Sequence, residues 1–229
     1  MFPLRDDQPR RNRPVITLAL IAFNVLVFLY QLGLDEREMF ELLARAALFP
    51  ARLSAALNGG PPLELVDAAG TLVTSQFLHG GFFHVLVNLW ALWIFGDNVE
   101  DRLGPLRYLG FYVLCGVAAG LLHVAWQPNS TLPTVGASGA IAGVMGAYVV
   151  MYPRARVVTL IPVLFYPVFL NLPAVVYLGL WFALQLLSGL LEPAHVARGG
   201  GVAWWAHIGG FAAGVALVPL LRSRRRRSA

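Results

Sequence analysis

Apolar residues gather in six long blocks along this chain, separated by short clusters of glycine, proline and charge. The blocks cover roughly residues 15–32, 82–96, 105–126, 135–152, 172–190 and 206–221. Each is near the ~17–25 residues that a helix needs to cross a bilayer core. Several fall a few residues short, as spans that begin below the membrane surface do. Turn-rich segments separate the second to fifth blocks: Gly96-Asp97-Asn98, Gln127-Pro128-Asn129-Ser130 and Tyr152-Pro153-Arg154. The pattern predicts an all-α integral membrane protein with six transmembrane helices and no internal repeat. Residues 1–14 are expected as a cytoplasmic N-terminal tail and residues 222–229 as a cytoplasmic arginine-rich tail.

Two stretches depart from the rhythm. Val157–Asn171 is apolar enough for a seventh span, but Pro162 and Pro167 each remove a helix hydrogen bond. It is expected to be a broken or re-entrant segment buried against protein, where irregular backbone is tolerated. The long first outer loop, Gly33–Gln76, exceeds what a connection needs. Within it Asp35–Ala47 places Phe40, Leu43 and Ala47 on one side and a Glu41–Arg45 pair elsewhere. That pattern predicts an amphipathic helix in the outer interface, as a lid or as a plain connector.

Composition and charge agree with a membrane protein. The chain is 58% hydrophobic and 13% charged, against about 25% charged in soluble domains. The first apolar run continues into the protein, so a cleaved secretory signal is not expected. Asp6 and Asp7 argue against a mitochondrial presequence. Cys115 is the sole cysteine, which excludes an intrachain disulfide and a thiolate metal cluster. All 17 basic residues are arginine, and the net charge is +5. Five arginines lie in Arg222–Arg227, directly after an apolar block, and read as a topology signal rather than a nucleic-acid surface. With the N-terminus inside, Arg5, Arg10, Arg11, Arg13, Arg102, Arg107, Arg154, Arg156 and the tail are cytoplasmic. Arg37, Arg45, Arg52 and Arg198 are then outside. The lysine-free, Ala- and Gly-rich composition points to a GC-rich bacterial genome, so the expected location is the bacterial inner membrane with both termini cytoplasmic.

This topology collects polar groups at one face. His84 and Asn88 are four residues apart on one side of the second span. Ser138 opens the fourth span in Gly-Ala-Ser-Gly, and His207 opens the sixth in W-W-A-H-I-G-G-F-A-A-G. Polar side chains inside spans are costly, so several at one depth suggest a site. Gly136 and Gly139 leave the Ser138 hydroxyl unobstructed, although a small residue there would equally serve close helix packing. Gly210 and Gly214 share a face with His207, and Gly139, Gly143 and Gly146 stripe the fourth span. Two such faces allow the close approach that a Ser–His hydrogen bond requires. In that arrangement Ser138 is a nucleophile and His207 its base. His84, Asn88 and the Ser138 N–H would donate to an oxyanion. No intramembrane carboxylate is available as a third member. A metal site lacks both the H-E-x-x-H pattern and an accompanying carboxylate. His79 is expected to bond loop backbone, His123 and His195 to be interfacial, and Cys115 to be a core residue.

These residues resemble the rhomboid intramembrane serine proteases of the six-helix bacterial type. The likeness rests on His79…His84…Asn88, on G-A-S-G at Ser138 and on A-H-I-G-G-F-A-A-G at His207. The opening M-F-P-L-R-D-D-Q-P and the proline-rich stretch at 157–173 add to it. The resemblance implies a Ser138–His207 dyad, an oxyanion hole of His84, Asn88 and the Ser138 amide, and no cofactor or metal. It implies cleavage of single-pass membrane proteins near their outer end, at small residues followed by helix-destabilising ones. The expected partners are such substrates and the lipid bilayer, with no nucleic acid. Two departures stand out. Ala142 occupies the position, four after the serine, where some members carry an aromatic beneath the histidine, and the family's Trp-Arg pair in the first outer loop is absent. A silent rhomboid-like protein that binds membrane helices for quality control is the alternative, but such proteins lose the serine or histidine and here both are present. A transporter would spread polar groups through the membrane depth.

Overall fold

A computed structural model describes residues 1–164, 166–192 and 201–221. His195, Arg198 and the arginine tail lie outside the described residues. Backbone polar groups in a bilayer core have no water to bond, so an apolar chain must satisfy them within helices. The six apolar blocks do so as α1 (Val15–Leu32), α5 (Phe82–Leu103), α6 (Pro105–Trp126), α7 (Ser138–Met151), α8 (Ala174–Leu191) and α9 (Trp204–Leu221). Between α1 and α5 lie α2 (Glu36–Ala46), α3 (Pro50–Leu57) and α4 (Pro62–Thr74). Five of the six apolar helices are long and apolar enough to cross a membrane, and α7 is shorter, at 14 residues. At about 1.5 Å per residue α7 spans roughly 21 Å, less than a ~30 Å core.

The short helix is the axis of the bundle. Every residue from Gly139 to Tyr148 is buried, with α5, α6 and α9 packed around them. Glycine permits that closeness. A Cβ on Gly210 would fall on the Gly139 carbonyl, and one on Gly214 on the Gly143 carbonyl. Across the other face of α7, Gly143 meets buried Cys115 of α6.

Three segments differ from expectation. Val157–Asn171 is neither broken helix nor re-entrant loop. It forms a β-hairpin of β2 (Arg156–Val163) and β3 (Tyr166–Pro173), to which β1 (Phe2–Asp6) adds as a third antiparallel strand, in the order β1-β2-β3. Pro162 and Pro167, which bar a helix, face each other across the ladder next to the turn, and Leu164 turns the chain at φ 53°. The N-terminal stretch is therefore not all tail. Second, α5 runs through Gly96-Asp97-Asn98 to Leu103, where Gly104 at φ 80° ends it. Gly96 makes room there for the Tyr108 hydroxyl, 2.7 Å from where a Cβ would stand. Third, the first loop holds three helices. The amphipathic one, α2, starts at an Asp35–Glu38 capping box, and Glu41 pairs with Arg37 at 3.2 Å instead of with Arg45. Helices α3 and α4 close a separate small core of Leu48, Leu53, Ala56, Ala68, Leu72 and Val124.

At the end of the bundle remote from Ser138, carboxylates pin the chain. Glu100 accepts from the Ile16 and Thr17 N–H groups at 2.9 and 2.8 Å, satisfying orphan donors at the start of α1. Asp6 accepts from the Tyr148 hydroxyl and, at 3.0 Å, from Asn98 Nδ2, which fastens β1 to α7 and α5. Burial pushes the Asp6 carboxyl up to about 6, the Tyr148 bond opposing it. Folding therefore favours the protonated form. The stabilisation is complete below the unfolded value of 3.8 and is lost as pH rises through about 6.

Two outcomes follow from this packing. Gly214→Ala should lower the thermal midpoint in detergent by several degrees, since overpacking against backbone costs about 1–3 kcal/mol or more. Gly179→Ala, with nothing within 4 Å among the described residues, should leave it unchanged or slightly raised. Equal midpoints for the two variants would refute the close-approach argument. For Asp6, the midpoint of Asp6→Asn relative to wild type should climb between pH 4 and pH 7 and then level off. A gap independent of pH would show that Asp6 does not titrate in that window.

Candidate active site

The sequence places Ser138 with its backbone as well as its side chain. Ser138 is the first residue of α7, so its N–H has no intrahelical acceptor. The loop that delivers it is tied to the first-loop helices. Leu48 and Thr134 exchange backbone hydrogen bonds of 3.1 and 2.8 Å, and the Gly136 N–H donates to the Ser75 carbonyl at 2.9 Å. Gly136 sits at φ 129°, a conformation open to glycine. A Cβ there would also stand 2.8 Å from the His84 ring and 3.6 Å from the Ser138 hydroxyl. The backbone has been brought against the imidazole.

His84, Asn88, Ser138 and His207 line one cavity of about 530 Å³, together with Gly80, His123, Gln127 and Trp205. The Gly80 N–H approaches His84 Nδ1 at 3.4 Å. That contact favours Nδ1 as the acceptor and the proton on Nε2, beside Gly136. Asn88 is buried, and its Nδ2 has no hydrogen-bond partner among the described residues. A buried amide donor left unmatched costs about 1–3 kcal/mol, which an anionic oxygen entering the cavity would relieve. No hydrogen bond joins Ser138 to His207 among the described residues; such bonds are often long in a ligand-free site and tighten with substrate. The arrangement offers a hydroxyl, an imidazole and three N–H donors in one partly apolar pocket, which is what acyl transfer requires.

Other predicted residues sit as follows. His123, expected at the interface, is buried and lines the cavity, its Nδ1 without a partner among the described residues. His79 uses its backbone, not its ring: its N–H donates to Gln31 Oε1 and its carbonyl accepts from Gln31 Nε2, at 3.0 and 3.1 Å. Its ring packs edge-on against His84, 5.2 Å between centroids, and burial first, then His84, lowers it to about 4. Ala142 is buried one turn below Ser138, beside Gly210.

One residue went unremarked in the sequence. Gln185 of α8 is buried, and its Oε1 lies 2.7 Å from His207 Nδ1. Trp181, one turn earlier, tilts over the same ring at 6.0 Å between centroids. The available signal was a lone amide within an otherwise apolar span.

The sequence model of the Rhomboid domain matches residues 68–224. The chain is 30% identical to Rhomboid protease AarA of Providencia stuartii over 152 residues, covering 59% of this chain and 50% of the relative. It is 29% identical to mitochondrial Rhomboid protein 1 of Saccharomyces cerevisiae over 157 residues, covering 66% and 42%. Over 76 residues it is 36% identical to Inactive RHOMBOID-like protein 8 of Arabidopsis thaliana, covering 33% and 21%. The chain thus spans half or less of the length of these curated relatives.

Proposed function

This chain belongs to the rhomboid family of multi-pass membrane proteins, and from that premise we propose that it is an intramembrane serine endopeptidase. One observation carries the reading: Ser138, His207, His84 and the unmatched Asn88 donor share a single cavity. The Ser138 hydroxyl attacks the scissile carbonyl while His207 Nε2 takes its proton. His84 Nε2–H, Asn88 Nδ2–H and the Ser138 N–H hold the oxyanion. Collapse sends the proton from His207 to the leaving amine and leaves an acyl-serine. Water, activated by the same imidazole, then releases the acid. The substrates are single-pass membrane proteins, and a helix must open locally before its carbonyl can be attacked, which favours small and helix-destabilising residues. The arginine bias supports a site toward the outer face with both termini cytoplasmic, and the lysine-free composition supports a bacterial inner membrane.

The purified chain, incubated in liposomes with a panel of single-span substrates, should cleave at least one of them. Ser138→Ala and His207→Ala should each fall to background, and the double variant should be little worse, because coupled groups are not additive. Substantial cleavage by Ser138→Ala would exclude the assignment, and a wild type silent on every substrate would favour the inactive rhomboid-like reading. Asn88→Ala should lose up to the 10²–10³-fold in kcat that one oxyanion donor is worth, about 2.7–4 kcal/mol, with KM nearly intact. Normal turnover with raised KM would make Asn88 a docking residue.

A further inference from the structure

We propose that Gln185 is the positioning residue of His207, holding the imidazole in the Nδ1–H tautomer with Nε2 turned to Ser138. The inference rests on the reading of His207 as the general base. Gln185 Oε1 can only accept, so at 2.7 Å the proton must reside on Nδ1 and the lone pair on Nε2. The contact fixes rotation of the ring about its own plane. Trp181, four residues earlier and therefore on the same face of α8, lies over the ring at 6.0 Å and 32° and limits its tilt. Trp204 closes the edge at 6.3 Å and 90°. Helix α8 thus provides from the side the support that Ala142, a methyl group, cannot provide from below.

An amide suits this depth. A carboxylate would hold the same tautomer, but in a span its charge is expensive to bury. Glutamine gives the acceptor without the charge. Among the described residues of α8 only Ala174, Tyr177, Leu178 and Gln185 are buried, and Gln185 is the one of these toward Glu192, the residue after α8 that lines the cavity. Its Oε1 is engaged by the imidazole.

The test uses the full chain in detergent with two substitutions: Gln185→Leu, similar in size but unable to accept, and Gln185→Glu, which keeps an acceptor. Histidine-selective 15N NMR, with the His207 signals identified by their loss in His207→Ala, should show an Nδ1-protonated ring in wild type and in Gln185→Glu. Gln185→Leu should lose that state. On a single-span substrate, kcat of Gln185→Leu should fall about 10²-fold, the low end of what a positioned base contributes, with KM within about twofold. Gln185→Glu should recover most of the loss. An Nε2-protonated ring in wild type, or a Gln185→Leu ring unchanged in tautomer, would overturn the proposal; so would a kcat loss that Gln185→Glu fails to recover. A wild type that holds the Nδ1–H tautomer, loses it in Gln185→Leu and cleaves nothing would keep the positioning role and reject the endopeptidase reading instead.

Discussion

Backbone contact between α7 and α9 governs what this bundle can do. Two helices come this close only where neither carries a Cβ, and the pairs Gly139–Gly210 and Gly143–Gly214 occur at successive turns. The first pair lies beside Ser138 and three residues beyond His207. Any larger residue would push the axes apart and open the gap between hydroxyl and imidazole. Without a hydrophobic force to bring helices together in lipid, van der Waals contact of this kind is a main source of association. The same glycines that hold the bundle together therefore set the distance across the proposed dyad.

Around that axis the remaining elements fix the approach of single groups. The first-loop helices clamp the strand-like stretch before Ser138 through Leu48, Thr134 and Ser75, which gives this long connection a structural purpose. Gly136 then presses the backbone against the His84 ring. At the far end, the β1–β2–β3 sheet and the Asp6, Asn98 and Tyr148 contacts brace the opposite end of α7. Being only 14 residues long, α7 starts its serine within the thickness of the bundle. The hydroxyl there is half-buried in the cavity, where N–H donors act more strongly than in open water.

Much of this was legible in the sequence, for reasons that can be named. Apolar runs of membrane length locate helices because lipid admits few other backbones, and all six blocks became helices. His84, Asn88, Ser138 and His207 could be assigned to one end by counting crossings, and the structure brings all four to one cavity. The hairpin at Arg156–Pro173 was not legible, because its prolines argued against a helix without saying that Phe2–Asp6, far away in sequence, would pair with it. Nor was the continuity of α5, since Gly96 reads as a breaker until the Tyr108 hydroxyl is seen to occupy its face. Gln185 escaped notice because it belongs to no motif. Its meaning comes from which ring it faces across α8 and α9, a tertiary fact that no local pattern encodes.

The proposed mechanism requires that His207 activate Ser138 inside the bundle. A fluorophosphonate probe reports this without any knowledge of the substrate, since only an activated serine reacts. Mass spectrometry of the labelled, membrane-embedded chain should find the adduct on Ser138 in wild type and none in a His207→Ala protein that retains its thermal midpoint. An adduct forming at the same rate without His207, or an unmodified Ser138 in the wild type, would exclude that activation.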